Sequence, residues 1–442
     1  MRHPLALLVA FVLLASALTY VVPAGQFDRR DNAAIGRKVV IPGSFHAVPQ
    51  SPVGPFQAFV AIPLGLADAS AVIFFVFLAG GAFNVVDRTG ALRHGVGWLA
   101  FRLDRRETLI IPIVCVVFAA AGAAEGFWEE IIALVPVLLV LTSRVGFDGL
   151  TAVAMSLGAA GIGAGFSPMN PFGVGIAQKF AELPLLSGWQ FRLAVLVLAL
   201  GIWTWGTMRH AARTRTAPAA TNPALVHASD SRHTVTLLAV VAAFAALVVG
   251  IARYGWDFEQ MSAVFLIMGI AAGLVGRLSL AGTAEAFVEG FRAVALGAMV
   301  IGVARGLFVV LDQGKIVDTI INALVSPLAH LPVSLLAAGI TAVQSLLVLP
   351  VPSSSGRVAL TMPILVPLSD LLGLSRQITV TATQYGPGVI AQFMPTDGAL
   401  MAILLLAGVP YGKWLRFCLP LCAALFALSL AAIGVAVAIG LD

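Results

Sequence analysis

Charge is scarce in this chain. Lys and Arg number 26 and Asp and Glu 21, so charged residues make only 11% of its 442 positions. A soluble domain carries about 25%. Together with 60% hydrophobic residues and a mean hydropathy of +0.99, that excludes a soluble enzyme and a disordered chain. Cysteine is rarer still. Cys115, Cys418 and Cys422 all lie in apolar runs and form no CxxC, which excludes a disulfide scaffold and leaves packing as their role. All seven histidines sit in or beside polar segments, which speaks against a metal cluster or an intramembrane proton relay. No GxxxxGK[ST] and no HExxH is present, so neither a P-loop ATPase nor a zincin site is built in. Gly and Pro, at 44 and 24, are average in share, so the chain is not of low complexity.

What is present is apolar sequence almost end to end. A membrane helix needs roughly 20 apolar residues, and the runs predict about ten or eleven spans. They are continuous rather than alternating, so the expected fold is an all-α polytopic membrane protein and not a β-barrel. The net charge of +5 comes from short basic loops, as cytoplasmic loops require, and is no sign of a nucleic-acid partner.

The stretch from Leu5 to Val22 reads as a first span. It is long for a cleaved signal, and many spans follow. Residues 23–55 read as an external loop and 70–86 as a second span. Residues 88–107, with Arg88, Arg93, Arg102, Arg105 and Arg106, are expected in the cytoplasm, with an interfacial amphipathic helix over 92–103. A second basic stretch, 209–232, reads as a cytoplasmic linker between halves 1–208 and 233–442. The N-terminus is then cytoplasmic and the C-terminus external, in a cell membrane.

The halves repeat. Shifted by 227 residues, Pro136, Gly146, Gly161 and Pro168 fall on Pro363, Gly373, Gly388 and Pro395. Identity is weak for so biased a composition, but the spacing of prolines and glycines is not. The second half has an extra span near 261–278, which reverses everything after it. An inverted repeat marks secondary transporters, whose sites lie near the midplane at interrupted helices.

Four interruptions stand out. Hairpins over about 108–142 and 332–368 have polar tips at 122–130 and 350–357, and the spans over about 150–185 and 376–407 break at Ser167–Pro171 and Pro395–Gly398. Broken backbone at membrane depth is tolerated only inside protein or beside water. Helix N-termini after Asn170 and Thr396 suit a carboxylate, and free carbonyls before them suit Na⁺. The intramembrane ionisable residues are Glu125, Glu129, Glu130, Arg305, Arg357 and Asp397. Each costs at least about 2.5 kcal/mol at a helix centre, so a functional role is the first hypothesis. Arg305 or Arg357 would hold a substrate carboxylate, and Glu129, Glu130 or Asp397 would take Na⁺, H⁺ or a substrate ammonium. On a helix, Glu129 and Glu130 would point about 100° apart and could not both face one ligand.

The chain resembles the YfcC-like branch of the C4-dicarboxylate anaerobic carrier family, within the ion transporter superfamily. The likeness rests on Val22–Asp28, Ile73–Phe83, Glu129-Glu130, Ser167–Gln178, Pro352–Gly356, Ala359–Pro367 and Val409–Trp414. It implies an inverted repeat with two re-entrant hairpins, a dimerising scaffold and a unit that moves past it as an elevator. It also implies binding at Ser167, Asn170, Ser353, Ser354, Ser355 and Thr396. Members carry C4-dicarboxylates or exchange basic amino acids. This chain has Gly386-Pro387-Gly388 where relatives have an acid, and Arg357 where they have Gln, which favours an anion. Asp397, where they have Ser, pulls the other way.

The expected function is therefore a secondary transporter, antiporter or symporter, of small carboxylates, either dicarboxylates or amino acids, working without an organic cofactor as a homodimer in the bilayer. A basic amino-acid exchanger of the arginine/ornithine type is the alternative. A channel would need a continuous polar pore, and the polar residues cluster at knots instead.

Overall fold

The computed structural model describes residues 4–32, 37–91, 107–216 and 231–442. The amphipathic helix expected over 92–103 lies outside these residues, as does most of the linker.

In the first half, α1 (Pro4–Val21) leads into strands β1 (Gly25–Gln26), β2 (Arg29–Asn32), β3 (Arg37–Val40) and β4 (His46–Ala47). Then come α2 (Pro55–Asp68), α3 (Ser70–Arg88), α4 (Ile110–Glu125), α5 (Ile131–Val145), α6 (Gly149–Gly165), α7 (171–180) and α8 (Trp189–Thr214). The second half holds α9 (Ser231–Tyr254), α10 (Phe258–Val275), α11 (Leu280–Gln313), α12 (Val317–Val325), α13 (Val333–Leu346), α14 (Ser354–Leu372), α15 (Arg376–Ala391), α16 (Gly398–Leu406) and α17 (Tyr411–Ala438). Among the described residues, six helices of 18 or more residues are apolar enough to cross a membrane by length and composition.

One expectation is corrected. The chain is mostly helical but not all-α, because the loop after α1 forms antiparallel pairs β1–β4 and β2–β3. Val39 and Val40 are buried, and β3 packs on α14 while β1 packs on α12. Asp318 fixes the cap from below: it accepts from Arg29 Nη2 at 2.7 and 2.8 Å and from the Phe27 amide at 2.9 Å. The span expected over 70–86 is α3, which starts at Ser70. A further helix precedes it: α2 starts at Pro55, whose fixed φ suits a first helical turn, and only Ala69 separates α2 from α3.

Helices α1–α3 and α9–α11 form one packed group around the long α11, and α4–α8 and α13–α17 form another. The groups meet where α11 contacts α16 and α3 contacts α5. Within the second group, glycine lets backbones touch. A Cβ on Gly122 of α4 would stand 2.0 Å from the Ala160 carbonyl oxygen, and one on Gly163 of α6 would stand 2.0 Å from that of Ala119. Buried indoles hold the broken helices: Trp203 Nε1 donates to Ala154 O and Trp414 Nε1 to Gln392 O, both at 2.8 Å.

Helix boundaries recur at one interval. Gly149 and Arg376 open α6 and α15, Pro171 and Gly398 open α7 and α16, and the left-handed Gly146 and Gly373 end α5 and α14. Each pair stands 227 residues apart. The loops after α5 and α14 sit at opposite ends of α17. Asp148 is 3.0 Å from Lys413 Nζ at its start, and Ser375 Oγ donates to Leu441 O just past its end.

Asp148 also caps α6 through the Thr151 amide and lies 3.2 Å from His210 Nε2. Burial alone would raise its pKa. Bonds from His210, Thr151 and Lys413 outweigh that and hold the carboxylate well below the usual range. Its contribution is thus present above the unfolded value of about 3.9 and is lost as pH falls below it. Asp148→Asn should lower the thermal midpoint of purified protein at pH 7, with the gap to wild type closing as pH drops from about 4 towards 2. Gly122→Val should cost about 1–3 kcal/mol by overpacking. In the same thermal assay, Gly201→Val, which meets nothing within 4 Å, should shift the midpoint far less.

Candidate functional site

The first hairpin turns where α4 ends at Gly126, whose φ of 68° suits glycine. Residues 126–130 are not helical, and α5 begins only at Ile131. The expectation that Glu129 and Glu130 diverge on a helix is thereby overturned. Both lie in the turn, and both line the same cavity. Glu130 Oε2 accepts from the Trp128 amide at 2.9 Å, and the Trp128 indole donates to both Asp397 oxygens at 3.1 Å. Asp397 also accepts from the Leu400 amide at 2.7 Å, capping α16. Three acids from two distant interruptions thus gather at the N-termini of α5 and α16, where the helix dipoles favour negative charge.

The other broken span is laced by side chains. Asn170 Oδ1 caps α7, accepting from the Phe172 and Gly173 amides at 2.9 and 3.2 Å. Ser167 Oγ donates to Ala123 O at 2.6 Å and accepts from the Met169 and Asn170 amides. Ser167 is fully buried and off the cavity wall, so its hydroxyl serves the knot and the first hairpin. Gln384 of α15 donates to Ala164 O and Ser167 O at 3.1 and 3.0 Å. Beside it the two broken spans cross at Gly165 and Gly388, where a Cβ on Gly388 would stand 2.3 Å from Gly165 Cα.

In the second hairpin, Ser353 caps α14 through the Gly356 amide at 3.2 Å. Arg357, 5% exposed, donates from Nη1 to Val351 O at 3.2 Å, and its Nε has no hydrogen-bond partner. The buried Thr396 hydroxyl likewise has none.

These pieces enclose a cavity of about 830 Å³, within the range of small-molecule sites. Of the residues picked out from sequence, Glu129, Glu130, Asn170, Arg305, Ser353, Ser354, Ser355, Arg357, Thr396 and Asp397 line it, and Ser167 does not. Sequence reasoning missed Asp68, Trp128 and Asp257, which line it too. Asp68 is missed because residues 56–69, between the expected loop and the expected span, are given no element from sequence. They form α2, and Asp68 is its last residue. It pairs with Arg305 through Arg305 Nε and Asp68 Oδ2. The pair is set by a close approach one turn away, where a Cβ on Gly65 would stand 2.4–2.8 Å from the backbone of Gly302 and Gly306.

Over residues 1–438 the chain matches the family model described as C4-dicarboxylate anaerobic carrier. YfcC of Escherichia coli (strain K12), whose name proposes a basic amino acid antiporter, is 30% identical over 482 residues, covering 97% of this chain and 95% of that protein. A protein of Haemophilus influenzae (strain Rd) is 28% identical over 472 residues, covering 94% and 92%. The YdaH transporter of Alcanivorax borkumensis aligns over 99% of both chains with a TM-score of 0.47 at 17% identity. By the family match and the likeness to YfcC, this multi-pass membrane protein belongs to the C4-dicarboxylate anaerobic carrier family, a family of transporters.

Proposed function

We propose that the protein is a secondary transporter exchanging amino acids that carry a cationic side chain. One observation carries this: the titratable residues on the cavity wall are Asp68, Glu129, Glu130, Asp257 and Asp397 against Arg305 and Arg357. In a site shielded from water, such an excess of carboxylates repels a dicarboxylate dianion and attracts cations. A basic amino acid brings two cationic groups and one carboxylate, matching both signs. The name of YfcC proposes the same substrate class for that relative. Na⁺ or H⁺ at the Glu129, Glu130 and Asp397 cluster would neutralise the site when it returns empty. The second reading, C4-dicarboxylate transport, draws on the two arginines and on the family's description. It requires at least three of the five acids to be neutralised first, since five acids face two arginines.

The proposal includes an inverted repeat. The common interval of 227 residues between helix ends supports it, as does the placing of the loops after α5 and α14 at opposite ends of α17. It also includes alternating access by movement of α4–α8 and α13–α17 past the α11 group, with the cavity between them. With the basic loops in the cytoplasm, the N-terminus is cytoplasmic and the C-terminus external.

Counterflow in proteoliposomes decides between substrates. With unlabelled arginine or succinate inside and the matching labelled solute outside, arginine should accumulate and succinate should not. Accumulation of succinate alone would overturn the assignment. Comparing both with and without Na⁺ identifies the coupling ion. Asp397→Asn keeps a capping side chain but removes the charge. It should cut arginine exchange by about tenfold or more while leaving the thermal midpoint within a few degrees. Asp397→Ala should lose exchange and midpoint together.

A further inference from the structure

The transport reading above leaves the Asp68–Arg305 pair without a task. Charge neutralisation inside a membrane is best served by a bidentate, closed pair. This pair is neither. Arg305 reaches Asp68 through Nε, and its guanidinium lies 5.0 Å from the Phe308 ring centroid. Its two terminal nitrogens make no bond to a described residue. The side chains of Arg305 and Asp68 are 39% and 47% exposed, and both line the cavity. The Gly65 approach to Gly302 and Gly306 holds the two charges on a rigid helix crossing rather than on a loop.

We infer that Asp68 and Arg305 together recognise the zwitterionic head of an α-amino acid, Arg305 binding its carboxylate and Asp68 its ammonium. Ile301, one turn before Arg305 on α11, packs against Gly398, the residue after Asp397; a Cβ there would stand 2.8 Å from Ile301 Cα. One turn is a rise of about 5.4 Å, which an extended lysine or arginine side chain spans. A substrate whose head sits on Asp68 and Arg305 therefore places its side-chain cation at Asp397 and the neighbouring Glu129 and Glu130. Binding exchanges one internal ion pair for two pairs with the ligand, so neither Asp68 nor Arg305 is left unmatched. The inference rests on the basic amino-acid reading and adds the group that selects amino acids over simple polyamines.

The test is competition against labelled arginine uptake in proteoliposomes, using arginine, agmatine (which lacks the carboxylate) and the desamino analogue of arginine. In wild type, arginine should compete about tenfold or more better than either, the ratio a charge-assisted bond supplies. Arg305→Gln should erase the advantage over agmatine while agmatine itself competes as before, and Arg305→Lys should restore part of it. Asp68→Asn should erase the advantage over the desamino analogue. The double variant Asp68→Asn, Arg305→Gln leaves no unpaired charge and so guards against misfolding; it should show both losses. If wild type exchanges arginine but the variants weaken all three competitors equally, Asp68 and Arg305 are structural and the inference falls alone. If wild type exchanges succinate and not arginine, it falls together with the substrate assignment.

Discussion

Backbone freed inside a membrane-spanning unit has to find partners within the protein, and the architecture of the second helical group follows from that constraint. Four interruptions fall in this group, after α4, α6, α13 and α15. Lipid offers nothing to the amides and carbonyls they release. Side chains supply what lipid cannot. Asn170, Ser353 and Asp397 cap the helices that restart. Ser167 and Gln384 tie the knot to its neighbours, and Trp414 takes the carbonyl of Gln392. A hydroxyl, amide or carboxylate is needed at each, which is why the polar residues of so apolar a chain collect at these few points.

That requirement produces the electrostatics of the cavity. A capping carboxylate such as Asp397 is drawn to a helix N-terminus by amides and dipole together. Glu129 and Glu130 stand in the turn ahead of another such N-terminus. Acids that satisfy backbone therefore face one enclosed space, with the Trp128 indole joining the first hairpin to the second broken span. Arg357 lies at the back of this wall, almost wholly buried, and its Nη1 contact is a carbonyl. Structural satisfaction and a concentration of carboxylates are here the same arrangement.

Much of this was legible in the sequence, because the same physics leaves marks on composition. The glycines at 146 and 161 and the proline at 168 recur at a fixed interval since each marks a helix end, a close crossing or a helix break, while Pro136 and Pro363 sit inside α5 and α14. Gly161, for instance, lies where a Cβ would meet Gln392 and Trp128. Buried charges were visible because the surrounding apolar runs make them costly. What escaped was whatever depends on a boundary. Leaving residues 56–69 without an element hid Asp68, which ends α2. Treating Glu129 and Glu130 as helical separated two groups that the turn brings together. Ser167 belongs to the right knot, yet which way a hydroxyl points is decided by packing, and it points at Ala123 O. The β cap has no periodicity longer than four residues to announce it.

A selective site and a moving boundary can coincide under the proposed motion. Acids and caps on α5, α14 and α16 belong to one helical group, while Asp68 and Arg305 belong to the other, held by glycine contacts along α2 and α11. A substrate that bridges the two groups draws on both only while they are in register. Under the proposed motion the head-group contacts are relinquished as the hairpins move, whereas the contacts at Asp397 travel with the cargo. Affinity would then differ between the two faces of the membrane, by as much as the Asp68 and Arg305 contacts contribute. A carrier built this way separates its tasks. Under that motion, the moving group would supply the charge that a cationic cargo needs, and the other group would check which cargo leaves with it.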